Sequence, residues 1–250
     1  MTKEESLLSK RFVDLSRQAQ QKDIVLFSDF LNLNELNIFH QGINQLYCRF
    51  DFLGGYEQSE RQMIAFLPDA LCYAYHVPIC CIKITPINCK FADALSHRDV
   101  LGSLMNLGIE RNLLGDILVE EHLIYVFCQE KIASYIIDNL TRIRHTVICC
   151  EKTIPNKVAI VPKTELLEGI VASNRLDSIV ACLCKISRSK AKEWIQMGKV
   201  FINNKEILHA TYECKEEVMI SIRMVGRFKF RQALGETRKG RMKIQYEKYI

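Results

Sequence analysis

No stretch of the chain approaches the ~20 apolar residues that a membrane span requires, and its first residues, MTKEESLLSKRFVDLSRQ, lack the apolar core of a secretory signal. The odd count of 11 cysteines, without a secretory signal, argues against a disulfide framework, and the absence of any C-x-x-C pair argues against zinc knuckles. Most cysteines sit in apolar strings such as VPICCIKI and HTVICCEK, where the residue acts as a small buried hydrophobe. Gly54-Gly55 lacks the third glycine and the βαβ setting of a dinucleotide or methyl-donor loop. His97-Arg98-Asp99 resembles a kinase catalytic triplet, but Leu104 stands where that loop needs asparagine, and no Gly-rich loop precedes it. Ser96 as a helix cap, with Asp99 near the positive helix end, explains the same letters. These absences predict a cytoplasmic protein with no metal, no cofactor, no small-molecule substrate and no membrane partner.

What is present is charge of one sign in one place. From Lys157 onward the chain holds 19 Lys and Arg against 10 Asp and Glu, a local +9. The formal net charge is +5, so residues before 157 carry −4. Eight basic residues and one acid, Glu236, fall between Arg223 and Lys243. Such asymmetry points to a polyanionic partner, with a solvated lysine face as the bland alternative.

Residues 1–78 read as helices followed by an irregular segment: FSDFLNLNELNIFHQGINQL has helical or turn spacing, and Glu57 to Met63 reads as a short charged helix or loop. Residues 79–154 are clearer. CIKIT reads as a strand, SHRDVLGSLMNLG as a capped helix, GDILVEEHLIYVFCQ as a hairpin, EKIASYIIDNLTRI as a second helix and HTVICCEKT as a last strand. The order βαββαβ predicts a ferredoxin-like, RRM-like sandwich. Tyr125 and Phe127 share a face of its third strand, yet the glycine and basic residue of an RNA-reading strand are missing, and core packing is the plainer role. Residues 155–172, between Pro155 and the following helix, read as a linker. The predicted fold class is α+β, with residues 173–250 as an RNA-binding domain carrying a basic C-terminal extension.

In that last domain Leu176, Ile179, Val180 and Leu183 line one side of a helix capped by Ser173 or Asn174. A second helix starts at Ser187, buries Ala191, Trp194 and Ile195, and stops at Gly198. Its first turn bears Arg188, Lys190 and Lys192, and free N–H groups at such a helix start favour a phosphate. Arg188 has a second reading, as the partner of a surface acid such as Glu193 or Asp177. KVFI then alternates into a type I′-like turn at Asn203-Asn204, and EEVMISIRM forms a further strand.

The strings RLD, SRSKA and GKVFINN, in that order, resemble the small RNA-binding domain named after the fourth small-subunit ribosomal protein. The usual E-x-G-D after the hairpin is replaced by CKEEVMISIR. HRDVLGSLMNLGIERNLLGDILV, LGGYEQSERQMIAFLP and ISIRMVGRFKFRQALGETRKGR extend the resemblance to nearly the whole chain and point to the YlmH family. The resemblance implies a non-enzymatic protein that binds ribosomal RNA and tRNA on the large ribosomal subunit carrying stalled peptidyl-tRNA, in ribosome-associated quality control. The RNA-binding set it suggests is Arg175, Lys185, Ser187, Arg188, Lys190, Lys192, Lys199, Arg223, Arg227, Lys229, Arg238, Lys239 and Arg241. The alternative is a pseudouridine synthase or RNA methyltransferase with an accessory RNA-binding domain, but neither active loop is recognisable. A membrane-surface role for the basic extension fits poorly with the interruptions at Gly226, Gly235 and Gly240.

Overall fold

The computed structural model describes residues 2–57, 59–154, 164–237 and 240–249. The chain divides into two compact units, Met1–Val161 and Pro162–Ile250. Among the described residues no helix is long and apolar enough to cross a membrane.

The first unit opens with α1 (Lys3–Lys22), whose start is closed by a reciprocal pair of bonds between Thr2 and Glu5. Strand β1 (Leu26–Phe27) and α2 (Leu33–Gly42) follow, α2 being capped in the same way by Asn32 and Glu35. Strands β2 (Arg49–Leu53) and β3 (Met63–Leu67) complete a three-stranded antiparallel sheet of order β1-β3-β2. The expected irregular segment is therefore largely a sheet. Its strands are too short for their alternation to stand out, and β3 is buried along its whole length, which erases the period. Phe12, Phe39, Ile64 and Phe66 pack its helices onto it.

The sandwich is as predicted. Strand β4 (Ile79–Pro86), α3 (His97–Asn106), β5 (Leu114–Glu120), β6 (Leu123–Gln129), α4 (Glu130–Asn139), the short β7 (Arg142–Ile143) and β8 (Thr146–Thr153) form a sheet of order β5-β6-β4-β8-β7 with both helices on one face. The triplet at 97–99 is a helix start: Asp99 Oδ2 accepts from Ser96 N at 2.9 Å and from Ser96 Oγ at 2.6 Å. Those bonds hold the Asp99 carboxyl below its ordinary range.

On the other face Phe127 is fully buried and Tyr125 nearly so. The Tyr56 ring stacks on Phe127 at 5.0 Å between centroids, and a Cβ at Gly55, whose φ is +90°, would stand 2.5 Å from Phe127 Cδ1. The 54–61 loop thus lies over the place where an RNA-reading sheet would expose its aromatics, and glycine at 55 is required both by backbone and by space. The loop is pinned by Asp116, which accepts from Tyr56 Oη (2.8 Å), Glu60 N (2.7 Å) and Arg61 N (3.2 Å). Arg61 in turn donates to the carbonyls of Phe30, Leu114 and Arg111. This knot fastens the N-terminal sheet to the sandwich.

The second unit holds β9 (Thr164–Val171), α5 (Leu176–Cys184), α6 (Arg188–Gln196), β10 (Val200–Ile202), β11 (Lys205–Glu206), β12 (Val218–Ile222), β13 (Gly226–Glu236) and β14 (Met242–Tyr249). Its six-stranded sheet has the order β11-β10-β12-β13-β14-β9. Two expectations change. Residues 164–171, read as linker, are a strand paired with β14 along its whole length, and the basic extension is the β13–β14 hairpin of the same sheet. The part of the linker at 155–163 lies outside the described residues. Asn203 and Asn204 have φ of 48° and 64°, the I′ turn expected of them. Both helices cover one face through Ile179, Val180, Ile195, Ile220, Phe228 and Ile244.

Among the cysteines, Cys80, Cys81, Cys128 and Cys214 are buried, but Cys149 of the HTVICCEK string is exposed because it falls on the outer side of β8. Among the described residues no group of three or more His, Cys, Asp or Glu is placed to hold a metal ion.

Candidate nucleic-acid interface

Helix α5 begins at Arg175, which is its cap residue without a side-chain cap bond; Ser173 and Asn174, expected there, lie before it. Asp177 therefore falls in the first turn, where the helix dipole favours a carboxylate. Its side chain is 0% exposed, and two guanidiniums hold it. Arg175 donates through Nε and Nη2 to Oδ1 and Oδ2, each at 3.2 Å, and Arg188, from the start of α6, donates through Nε to Oδ2 and through Nη2 to Oδ1, also at 3.2 Å. Arg188 is thus paired with Asp177, as its second reading allowed, but the acid is in the interior rather than on the surface. The two arginines remain 35% and 45% exposed. Each keeps Nη1 without a protein partner among the described residues, so the cluster carries a net positive charge with one outward donor group on each of two fixed guanidiniums.

Burial pushes the Asp177 carboxyl up, but the hydrogen bonds from Arg175 and Arg188 outweigh it and hold the group below the usual carboxylate range. A carboxylate whose folded pKa lies below its unfolded value of about 3.9 stabilises fully above that value and loses its contribution as pH falls through the folded pKa. Acid unfolding of the second unit is therefore expected to set in below about pH 4, and Asp177→Asn should remove that component of the pH dependence in melting curves recorded from pH 2 to 7.

Ser187 caps α6, accepting from Lys190 N at 3.2 Å. Lys190 leans on Glu193 at 3.7 Å, whereas Lys185 and Lys192 are exposed and carry no ion pair among the described residues. Lys185, with φ 53°, closes α5 and begins the turn into α6. The structure therefore brings Arg175, Lys185, Ser187, Arg188, Lys190 and Lys192 together on one helix–turn–helix.

The other predicted residues lie elsewhere in the unit. Lys199 stands 5.8 Å from the Trp194 ring, Arg223 5.0 Å from Phe201 and Arg227 5.6 Å from Tyr249. Lys229 is engaged by Glu217 at 2.9 Å, and Arg231 bridges Glu217 and Glu247. Glu217 occupies the turn where the resembled pattern has Gly-Asp, with φ of 61°. The Glu217 carboxylate pairs with Lys229 and so reduces its availability to an outside anion. Arg241 follows a turn at Thr237, and Arg238 and Lys239 lie outside the described residues. Sequence reasoning treated these residues as cations alone. The alternation of KVFI and RFKF was the available sign that aromatics lie beside them.

A helix–turn–helix of this kind, with paired arginines and exposed lysines at a capped helix start, is an arrangement suited to a phosphate anion. Residues 174–220 match the S4 domain, and residues 75–156 match the putative RNA-binding domain in YlmH. Over 251 aligned residues the chain is 26% identical to ribosome-associated protein quality control protein P2 of Bacillus subtilis (strain 168), covering 98% of this chain and 96% of that protein. A solved structure titled cell division protein ylmH from Streptococcus pneumoniae shares the fold over 61% of this chain and 93% of its own, with a TM-score of 0.50 and 21% identity. The matched domains, together with the relative of matching length, support an RNA-binding protein similar to the YlmH family.

Proposed function

We propose that the protein binds ribosomal RNA and tRNA on the large ribosomal subunit carrying a stalled peptidyl-tRNA, in the cytoplasm, and takes part in ribosome-associated quality control without catalysing a reaction. The observation that carries the reading is the Arg175–Asp177–Arg188 cluster. A buried carboxylate fixes two guanidiniums at the mouth of a capped helix, so their side-chain entropy is already lost before a phosphate arrives. The relative of matching length is named for ribosome-associated quality control, and both matched domains are described by RNA binding. RNA contacts fall to Arg175, Lys185, Ser187, Arg188, Lys190, Lys192 and Lys199, with Arg223, Arg227 and Arg241 as further candidates.

Sedimentation of the full chain with purified large subunits tests this. The protein should travel with subunits that carry peptidyl-tRNA and less with empty ones, and Arg188→Lys should weaken the association because one ammonium cannot both hold Asp177 and present a donor outward as the guanidinium does. A protein that stays at the top of the gradient with either subunit would contradict the reading. Modification of the RNA by the protein, detected by mass spectrometry with or without a methyl donor, would favour an enzyme instead.

A further inference from the structure

We propose that the tip of the β12–β13 hairpin, Arg223-Met224-Val225, is an apolar wedge that sets the Met224 side chain against the face of an unpaired base in structured RNA, with Arg223 on a neighbouring phosphate. It rests on the RNA-binding reading above and adds to phosphate capture a contact made to a base. Two independent extremes meet at Met224. Among the described residues, eight other than glycine have positive φ; seven of them are charged or asparagine, and Met224, at φ 66°, is the apolar one. Met224 is also fully exposed, at 102%, the highest value of any exposed large hydrophobic residue described.

A lone apolar side chain on a surface needs no explanation. One held in the left-handed region does, because a β-carbon is disfavoured there, and asparagine or glycine would serve the turn at lower cost. The chain makes that ordinary choice at its other hairpin, where Asn203 and Asn204 take φ of 48° and 64°, and at Gly226, with φ of 140°. The tip is also held still. Val225 N–H donates to the Ile222 carbonyl at 3.1 Å, Ile222 pairs with Gly226, and Arg223 N–H donates to the Lys199 carbonyl at 2.9 Å, which ties the turn to the chain leaving α6. The wedge therefore meets its partner with backbone entropy already lost. Charge selects the partner. Residues 223–228 carry Arg223 and Arg227 and no acid. Glu217 lies at the opposite end of β12, and Glu206 stands two strands away, opposite Phe201 at the sheet edge. Arg223 is exposed, 5.0 Å from the Phe201 ring, with no ion pair among the described residues. An apolar tip beside such a guanidinium suits a splayed base next to its phosphate, the thioether packing on the ring and the arginine taking the anion.

Peroxide footprinting of the full chain, read by mass spectrometry, tests the contact directly. In the free protein Met224 should be among the first methionines oxidised to the sulfoxide, while Met219, 5% exposed, stays intact. Saturating deproteinised ribosomal RNA should slow oxidation of Met224 by ~5-fold or more. Met224→Asn should raise the melting midpoint, since asparagine tolerates this backbone, and yet weaken binding to that RNA by ~5-fold. Met224→Leu should keep most of the binding without the gain in stability. An asparagine variant that binds both deproteinised RNA and large subunits as tightly as the parent would overturn the proposal, and so would a parent whose Met224 oxidises equally fast with and without RNA. Weaker binding of the asparagine variant to large subunits, with binding to deproteinised RNA unchanged, would assign the tip to a protein of the subunit and overturn it too. If the parent binds neither, the RNA-binding reading fails and the wedge with it.

Discussion

Arg175→Ala/Arg188→Ala is expected to destabilise the second unit by ~3–5 kcal/mol, because it strands a carboxylate that is 0% exposed with no cation beside it. Arg188→Ala alone should cost ~1–2 kcal/mol, since Arg175 remains and the lost partner is partly solvated. The double variant should also reverse the sign of the pH dependence. With its partners gone, burial alone acts on Asp177, its pKa rises above the unfolded value, and the variant becomes more stable as pH falls toward 4, where the parent holds its full stabilisation. Adding Asp177→Asn to the double variant should recover most of the loss, as no buried charge is left, while leaving RNA binding impaired. Urea unfolding at pH 4 and pH 7 reads all of this. A double variant as stable as the parent at pH 7 would show that Asp177 does not depend on the two arginines.

Asp116→Ala should cost the first unit ~2–4 kcal/mol. The carboxylate satisfies the N–H groups of Glu60 and Arg61 and the Tyr56 hydroxyl, and losing it leaves three donors to find other partners in a place with little water. The nearby guanidiniums make the loss larger. Burial, and then the charge of Arg61, lowers Arg111 to about 10, and Asp116 is the group that offsets them. Asp116→Asn should fall between parent and alanine, because its amide keeps one accepting oxygen but presents a donor to donors. Release of the 54–61 loop would uncover Phe127, so the alanine variant should also bind a hydrophobic dye. An unfolding free energy in urea within ~0.5 kcal/mol of the parent's would mean that the loop is held by other contacts.

The parts of this fold that were legible in the sequence are those held by local periodicity. Helices α3 and α4 and strands β4, β5, β6 and β8 follow from alternation and three-four spacing within short windows, and the Ser96 and Ser187 caps from their neighbours. What stayed hidden depends on distant pairing. Asp116 and Tyr56 are 60 residues apart, and β9 gains its meaning only from β14 at the far end of the unit. Thr164–Val171 also mixes exposed leucine and isoleucine with glutamate, so its pattern does not announce a strand. Asp177 is the instructive case at the site. Leu176, Ile179, Val180 and Leu183 define the buried side of α5 and leave residue 177 at its flank, and its burial is completed by the arginines of another helix. The cations were visible as letters; which of them are already committed to protein acids, as Lys229 and Arg231 are, was not.

The central claim, that the second unit grips RNA through phosphates, is tested most directly by the salt dependence of full-chain binding to large subunits. If about five cations each displace a counterion, the logarithm of the association constant should fall with the logarithm of salt concentration with a slope of roughly −3.5 to −4.5. Lys192→Ala should make that slope shallower by roughly one. A slope near zero across 50 to 300 mM salt would contradict the account.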